Sequence, residues 1–287
     1  MSYQIVTDAT ADMDYSLLDA HVIPMKVYMN QKEFLYGPDG NISVKTFYEA
    51  LREGTIATTS QITPFEFNYV FEKYMAGGKD VLYLAFSSGM SGTYQNALLS
   101  AIELMKEYPQ RRIICVDTLS ASVKEGYLVY EAVKRKKEGM KIDDLANWVM
   151  GKRVKIHNRF IVDDLETLKR GGRISKVTAL TGMALQIKPI LEINEEGNLK
   201  LIRKYRGRKN SIRALFYYYQ EKKGKHQGDT VRVGHGDCID DAIMLSGYIH
   251  EKFPNTSIII TPVGPVIGAH TGPGMLSIAF NCGLGYV

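Results

Sequence analysis

One stretch in the first half of the sequence limits the possible folds more than any other. An apolar run, Val81–Phe86, is followed by a loop of serine and glycine, a helical pattern over Thr93–Lys106 and a second strand-like run, Arg112–Val116. A strand this apolar is buried on both faces, and the helix between the two runs is the crossover that parallel strands require. The sequence therefore predicts a parallel sheet with helices on both faces.

Strand and helix signals alternate through the rest of this half. The runs 4–7 and His21–Met29 are expected to form strands, and Ser43 is expected to cap a helix that ends at Leu51. Thr63–Pro64 places a capping residue directly before a proline at the first helical position, which is a strong helix start. The first half is therefore predicted to form an α/β domain over residues 1–155.

The second half has a different pattern. Pro189–Ile193 and Leu199–Arg203 flank the turn residues 195–198, which is typical of an antiparallel hairpin. A glycine- and proline-rich segment, Gly264–Gly274, is expected to be a loop. Other elements are predicted here, with strands at 160–162, 230–233 and 257–260 and helices at 177–186, 211–222 and 240–253. We expect a second α/β domain with a mixed or antiparallel sheet over residues 156–287.

Composition and motif content exclude several classes of protein. The net charge of +5 is too small to indicate nucleic-acid binding, and no zinc-finger or RNA-binding signature is present. The longest apolar stretch, Ile258–Ala269, is interrupted by Pro262 and Pro265, so no membrane span is expected. Neither a metal-ligand spacing nor a glycine motif for nucleotides occurs, so neither a metal nor a cofactor is expected.

Cysteine usage and the first residues bear on the compartment. The three cysteines are far apart in the chain and have no paired spacing, which favours a reducing environment over a disulfide framework. Asp8 and Asp12 come too early for a secretory signal peptide. The expected location is the cytoplasm.

The loop Ser87–Gly92 is the first candidate for a binding site. It joins the carboxyl end of a buried strand to the start of a helix, where ligands of open α/β sheets bind. The helix N-terminus offers N–H groups and a partial positive charge, and serine hydroxyls such as that of Ser91 add donors. Gly92 lets the backbone approach a ligand closely. The loop suits a carboxylate or phosphate, although an ordinary helix cap explains the same residues.

Two further candidates carry hydroxyl and imidazole groups. Thr59 and Ser60 precede the helix that starts at Pro64, and they can meet the same anion if the two loops are adjacent. Taken alone, these residues are explained more simply by cap and turn roles. His270 lies among glycines and prolines, where an imidazole can donate a hydrogen bond to an anion or act as a base. A purely structural histidine is the alternative.

Arginines beside glycines form the last candidates. Arg170 and Arg173 flank two glycines, a setting that suits contacts to a phosphate or carboxylate. Arg206 belongs to a basic segment, Arg203–Lys209, that is suited to docking a partner. Solvated surface charge is the competing explanation for all of them.

Taken together, these segments resemble the DegV family of bacterial fatty-acid-binding proteins. The matching segments occur in the family's order and span nearly the whole chain, at residues 7–12, 59–61, 87–94, 169–175 and 270–274. The resemblance implies a DegV-like fold, with an N-terminal three-layer, Rossmann-like domain, a C-terminal α/β domain and a long-chain, palmitate-like fatty acid between them.

The resemblance also implies roles for individual residues. The carboxylate of the fatty acid would be held by the hydroxyls of Thr59 and Ser91, with His270 close by. Some family members present the bound acid to a separate fatty acid kinase, which uses ATP to form the acyl phosphate. In that role the chain would be a non-catalytic subunit, with Arg170 or Arg173 facing the anion and Arg206 docking the kinase.

Two other functions remain open at this point. A stand-alone enzyme acting on a small anionic metabolite would use His270 as its base or phospho-carrier. A regulatory or scaffold protein would dock through Arg203–Lys209. Both use segments that the fatty-acid hypothesis also uses, so the arrangement of the site in space must distinguish them.

Overall fold

The computed structural model describes residues 2–17, 19–163, 165–174, 186–223 and 230–281. The strands are β1 (Tyr3–Asp8), β2 (His21–Ile23), β3 (Met25–Met29), β4 (Lys32–Tyr36), β5 (Ala57–Thr59), β6 (Asp80–Ala85), β7 (Ile113–Asp117), β8 (Ile156–Ile161), β9 (Ile187–Ile193), β10 (Leu199–Arg206), β11 (Thr230–His235), β12 (Ser257–Pro262) and β13 (Leu276–Asn281). The helices are α1 (Val44–Arg52), α2 (Pro64–Ala76), α3 (Thr93–Glu107), α4 (Ser122–Lys137), α5 (Ile142–Lys152), α6 (Glu166–Arg170), α7 (Arg208–Lys223), α8 (Ile239–Lys252) and α9 (Pro265–Thr271). The predicted helix over 177–186 lies outside the described residues but for Gln186.

The predicted parallel sheet is present. Its strand order is β2-β1-β6-β7, and every neighbouring pair is parallel. All residues of β1 and β6 are buried, which agrees with the burial on both faces predicted from the apolar run Val81–Phe86. Thr63 begins α2 with a capping box, in which its hydroxyl accepts from the backbone N–H of Glu66 and the Glu66 carboxylate accepts from that of Thr63.

The prediction of one strand over His21–Met29 is wrong, because Pro24 divides it. A proline has no N–H to donate to a ladder, so the hydrogen-bonding partner of the chain changes at this residue. β2 pairs with β1 in the parallel sheet, whereas β3 pairs with β4 and β5 in a separate antiparallel sheet. The register of this small sheet places Thr59 opposite Val27 and thus fixes the position of the Thr59 hydroxyl.

The second half forms a six-stranded mixed sheet in the order β10-β9-β8-β13-β11-β12. The predicted hairpin is confirmed as the antiparallel pair β9 and β10. β13 was not predicted, yet it lies between β8 and β11 and pairs antiparallel with both. The mixed sheet is built from strands after residue 155 and the other two sheets from strands before it.

The segment Gly264–Gly274 was predicted to be a loop, and that prediction is wrong for most of its length. It contains the short helix α9, which starts at Pro265 because proline is already set for the first helical turn. α9 packs on β3, β5, α1 and α6, and Val266 and Ala269 lie in the same core as β1 and β6. A helix late in the chain therefore completes the core of the first half.

Candidate functional site

A cavity of about 790 Å³, its mouth included, lies between the two halves of the chain. Its walls come from the β3–β5 sheet, the loop 87–92 and the start of α4 on one side and from β8, α9 and β13 on the other. Most lining side chains are apolar, among them Met25, Phe86, Met90, Phe160, Ile193 and Ile267.

Polar groups converge on the part of this cavity next to α9. The lining includes Thr59, Ser60, Ser91, Arg173 and His270, which the sequence offered as separate candidates. The Thr59 hydroxyl lies 2.9 Å from Nε2 of His270, although the two residues are 211 positions apart. The fold thus brings hydroxyl, guanidinium and imidazole groups together at one apolar cavity.

The backbone around Thr59 and His270 is held firmly. Ser60 donates its backbone N–H to the carbonyl of Lys26 at 3.3 Å, which extends the pairing of β5 with β3. The carboxylate of Asp12 accepts from the N–H of Gly264 at 2.8 Å and so caps the helix that carries His270. Burial raises the pKa of Asp12 to about 7, against the opposing hydrogen bonds from Ser122 and Gly264.

His270 is a neutral imidazole at physiological pH. Burial, with the nearby Arg173 cation, lowers its pKa to about 4. Nδ1 is buried against Gly171 and has no hydrogen-bond partner among the described residues. With the proton on Nε2, the imidazole donates to Oγ1 of Thr59 and leaves the Thr59 hydroxyl proton free to donate to a ligand.

The depressed pKa of His270 makes stability depend on pH. Below pH 6.5 the unfolded chain gains a proton on this histidine, whereas the folded protein does so only near pH 4. We expect the free energy of unfolding of the wild type, minus that of His270→Gln, to fall by up to about 3 kcal/mol from pH 6.5 to pH 4. Urea denaturation at each pH measures it.

Asp12 titrates in the opposite sense over the same window, since a raised pKa stabilises the folded state at low pH. Asp12 is present in both proteins, so its contribution cancels when the free energy of unfolding of His270→Gln is subtracted from that of the wild type. A difference that stays constant between pH 6.5 and pH 4 would show that His270 is not buried as a neutral group.

The loop 87–92 uses much of its own hydrogen-bonding capacity. Ser87 donates its hydroxyl to the carbonyl of Gly197 at 2.8 Å, and the backbone N–H of Ser91 donates to the carbonyl of Ser87 at 3.2 Å. Oγ of Ser91 accepts from the N–H of Thr93 at 3.2 Å and lies 2.9 Å from its hydroxyl. If Thr93 donates in that pair, the proton of Ser91 is free for a ligand.

The remaining predicted residues divide between the cavity and the surface. Gly92 lies against the side chain of Gln61, and it is not part of the cavity lining. Arg173 lines the cavity and donates Nε–H to the carbonyl of Met90 at 3.1 Å, which ties the loop 87–92 to the second half. Arg170 and Arg206 are exposed and do not line it, so contacts to a phosphate or a partner stay predictions for these two.

Asp8 has a larger role than its sequence position indicated. The side chain is fully buried, and its Oδ1 accepts from the backbone N–H of Thr10 at 3.0 Å, which holds the turn after β1. Its Oδ2 accepts from the Tyr83 hydroxyl at 2.6 Å and from the backbone N–H of Phe86 at 3.2 Å. Asp8 therefore fixes the point where β6 ends and the loop 87–92 begins.

Lys124 was missed by the sequence analysis. It follows the start of α4 in a stretch where surface lysines are common, and no local signal distinguishes it from them. The structure leaves the residue only 4% exposed and places it in the cavity lining. Its Nζ donates to the carbonyl of Leu119 at 3.5 Å, and the charge of Glu192 partly offsets the effect of burial, which lowers the pKa of Lys124 to about 8.

Two kinds of feature are missing from the part of the chain that the structure describes. It contains no group of three or more histidine, cysteine, aspartate or glutamate residues that would hold a metal ion. None of its helices combines the length and apolar character needed to cross a membrane.

Comparison with known proteins gives one consistent match. Residues 2–282 match the model of a family described as "Uncharacterised protein, DegV family". A DegV domain-containing protein of Clostridium perfringens is 40% identical over 281 residues, which is 97% of each chain.

Solved structures agree with this match. A DegV family protein from Thermus thermophilus, described by its fatty acid binding, superposes with a TM-score of 0.88 at 28% identity, covering 98% of this chain and 99% of that one. DegV from Bacillus subtilis, described as a fatty acid binding protein, gives 0.85 at 26% identity with the same coverage. The DegV-like fold expected from the sequence is therefore confirmed.

Proposed function

This chain is a member of the DegV family, and on that premise we propose that it binds a long-chain fatty acid in the cavity between its two halves. The observation that carries the proposal is the composition of the cavity, which is apolar along most of its wall and polar beside α9. An amphiphile with one anionic end and a long hydrocarbon chain matches that division. Two similar proteins of known structure are described as binding fatty acids.

The apolar wall supplies most of the affinity in this proposal. Burial of each methylene contributes about 0.8 kcal/mol, so a palmitate-like chain of sixteen carbons gains roughly 10 kcal/mol before the costs of binding. The carboxylate loses its hydration when it enters, and that loss is large unless donors replace the water. The polar groups therefore set the direction in which the lipid binds.

The hydroxyls of Thr59 and Ser91 are the proposed partners of the carboxylate. With the proton on Nε2, His270 donates to Thr59 and leaves the Thr59 hydroxyl proton for the ligand. Ser60 lies beside Thr59, and Arg173 provides the compensating positive charge. Burial lowers the pKa of this arginine, but a guanidinium remains charged at neutral pH. Together these groups form an anion site at the edge of the apolar wall.

A binding role without catalysis fits His270 better than an enzymatic one. A general base works best when its pKa is close to the working pH, and a pKa of about 4 makes this imidazole a weak base. We therefore propose that the chain is the lipid-binding, non-catalytic partner of a fatty acid kinase. The kinase would act on the carboxylate of the bound lipid. The expected location of both proteins is the cytoplasm. Arg206 is exposed on β10 and available to such a partner. The two domains divide at residue 155 in this proposal.

Native mass spectrometry of the purified protein tests fatty-acid binding. We expect the wild type to carry an added mass equal to one long-chain fatty acid, and delipidated protein to regain it from palmitate. The Thr59→Ala, Ser91→Ala double variant should still bind the lipid, since the apolar wall is intact, but should lose acyl phosphorylation by the kinase. An empty protein that ignores added palmitate and oleate would refute the proposal.

A further inference from the structure

We propose that the open edge of the mixed sheet is an interface between two copies of this chain, which pair their β12 strands antiparallel about a twofold axis at Ile259. The dimer then has one continuous sheet that runs through both copies. Among the described lining residues of the lipid cavity none belongs to β12, so the interface is independent of the proposed function.

β12 is an edge strand that has little protection against pairing with another chain. In the part of the chain that the structure describes, it pairs with β11 on one side and with no strand on the other. Edge strands commonly carry charged side chains that prevent further pairing. The strand Ser257–Pro262 has no charged residue, and apart from the proline at its end it contains three consecutive isoleucines, which favour strand pairing. Its open edge is therefore suited to pair with a strand of another chain.

The direction of the backbone groups of β12 determines how a second copy pairs with it. The N–H of Val263 donates to the carbonyl of His235, at the end of β11, at 2.8 Å. Since the N–H and C=O groups of successive strand residues point to alternate sides, those of Ile258 and Ile260 point to the open edge. Pro262 has the same orientation, which is the one that a ladder tolerates for a residue without an N–H. Two isoleucines of β12 thus offer backbone donors and acceptors to a partner.

An antiparallel pair of β12 strands satisfies these groups when the twofold axis passes through Ile259. Ile258 of each copy then lies opposite Ile260 of the other, and each of these pairs exchanges both backbone hydrogen bonds. Ile259 lies opposite the same residue of the second copy in a non-hydrogen-bonded pair, in which the Cα atoms are about 4.5 Å apart. The pairing buries the side chain of Ile259, which is 36% exposed in the single chain.

Exposed apolar side chains lie on both faces of the sheet beside this edge. On one face, a groove between α8 and β12 is lined by two isoleucines of the strand and by Ile243, which is 56% exposed. On the other face, Arg232 pairs with Ile259 in the ladder, and its guanidinium lies 4.8 Å from the ring centroid of Tyr130, which is 40% exposed. A twofold axis perpendicular to the sheet places the same groups of the second copy beside them. Their burial then stabilises the dimer.

The charges at the ends of α8 favour a second copy as the occupant of this edge. α8 connects the parallel strands β11 and β12 and therefore runs antiparallel to both, and its length of about 21 Å is close to the 20 Å or so of β12. In the antiparallel pair, the exposed Asp240 at the start of α8 lies across the axis from the exposed Lys252 at the end of α8 in the second copy. Opposite ends of the two helix dipoles also meet there.

Sedimentation equilibrium of the purified protein tests the interface. At micromolar concentration we expect the wild type to sediment at twice the chain mass of 32.2 kDa. Ile259→Lys should sediment at the mass of one chain, because it places two like charges opposite each other at the centre of the strand pair. Ile56→Lys is the matched control, since Ile56 is also an exposed isoleucine, at 54%, but precedes β5 in the other half of the chain. It should remain a dimer.

Ile259→Cys tests the register of the strand pair. A Cα separation of about 4.5 Å is within the range that a disulfide spans, so mild oxidation should give a covalent dimer on a non-reducing gel. The wild type and Ile56→Cys should give none. A wild type that sediments as a single chain, a folded Ile259→Lys that stays dimeric, or an Ile259→Cys that does not crosslink would overturn the proposal and leave fatty-acid binding intact. The wild-type mass and the cysteine variant decide the matter even if Ile259→Lys fails to fold.

Discussion

Substituting alanine for Asp8 is expected to lower the free energy of unfolding by about 4 kcal/mol, because it breaks a buried network around a carboxylate. The Tyr83 hydroxyl and the backbone N–H of Phe86 lose their acceptor in a region that water does not reach. Thr10 loses one too, since its backbone N–H and its hydroxyl both donate to Oδ1 of Asp8. Urea denaturation measures the change.

Asp14→Ala is the matched control for this experiment. Its carboxylate also accepts from a backbone N–H and a hydroxyl, both of Ser16, but it is exposed. Water replaces those bonds, so the loss should be far smaller than that of Asp8→Ala. A loss of similar size in the two variants would mean that the burial of Asp8 has no special consequence.

Ala121→Trp is expected to weaken binding of hexadecanoic acid on the order of a hundredfold. Ala121 is buried, lines the cavity and belongs to the same apolar cluster as Phe86 and Phe160. An indole at this position takes up space that about four methylenes of the lipid would fill, and each contributes about 0.8 kcal/mol. The dissociation constant of the delipidated variant, measured by calorimetry, gives the effect.

Ala121→Ser adds a single oxygen at the same position and should change that constant by no more than a few-fold. A thermal denaturation curve for the tryptophan variant separates a filled cavity from an unfolded protein. Unchanged affinity in a folded Ala121→Trp would show that the lipid does not use this cavity.

The sequence was informative wherever local pattern determines structure. The apolar run Val81–Phe86 predicted the parallel sheet, and the strand-like runs on either side of residues 195–198 predicted the hairpin. Both predictions were possible because the pattern of apolar residues within each segment indicates its structure. The split at Pro24 was also visible in principle, since a proline without an N–H seldom continues a ladder.

The rest depended on contacts between distant segments. No pattern near residue 270 shows that its imidazole meets Thr59, and the two were associated only by the resemblance to a family. α9 has only seven residues, so packing rather than helix propensity stabilises it. Lys124 has the sequence context of a surface residue, and it is buried because α4 packs on the mixed sheet.

The contribution of α9 to the core of the first half has a consequence for biosynthesis. Val266 and Ala269 fill a core whose other members are mostly encoded before residue 157, and Asp12 caps a helix that starts more than 250 positions later. While the ribosome is still making the middle of the chain, that core lacks part of one wall and exposes apolar surface. We therefore expect the nascent first half to complete its core only after α9 has been synthesised.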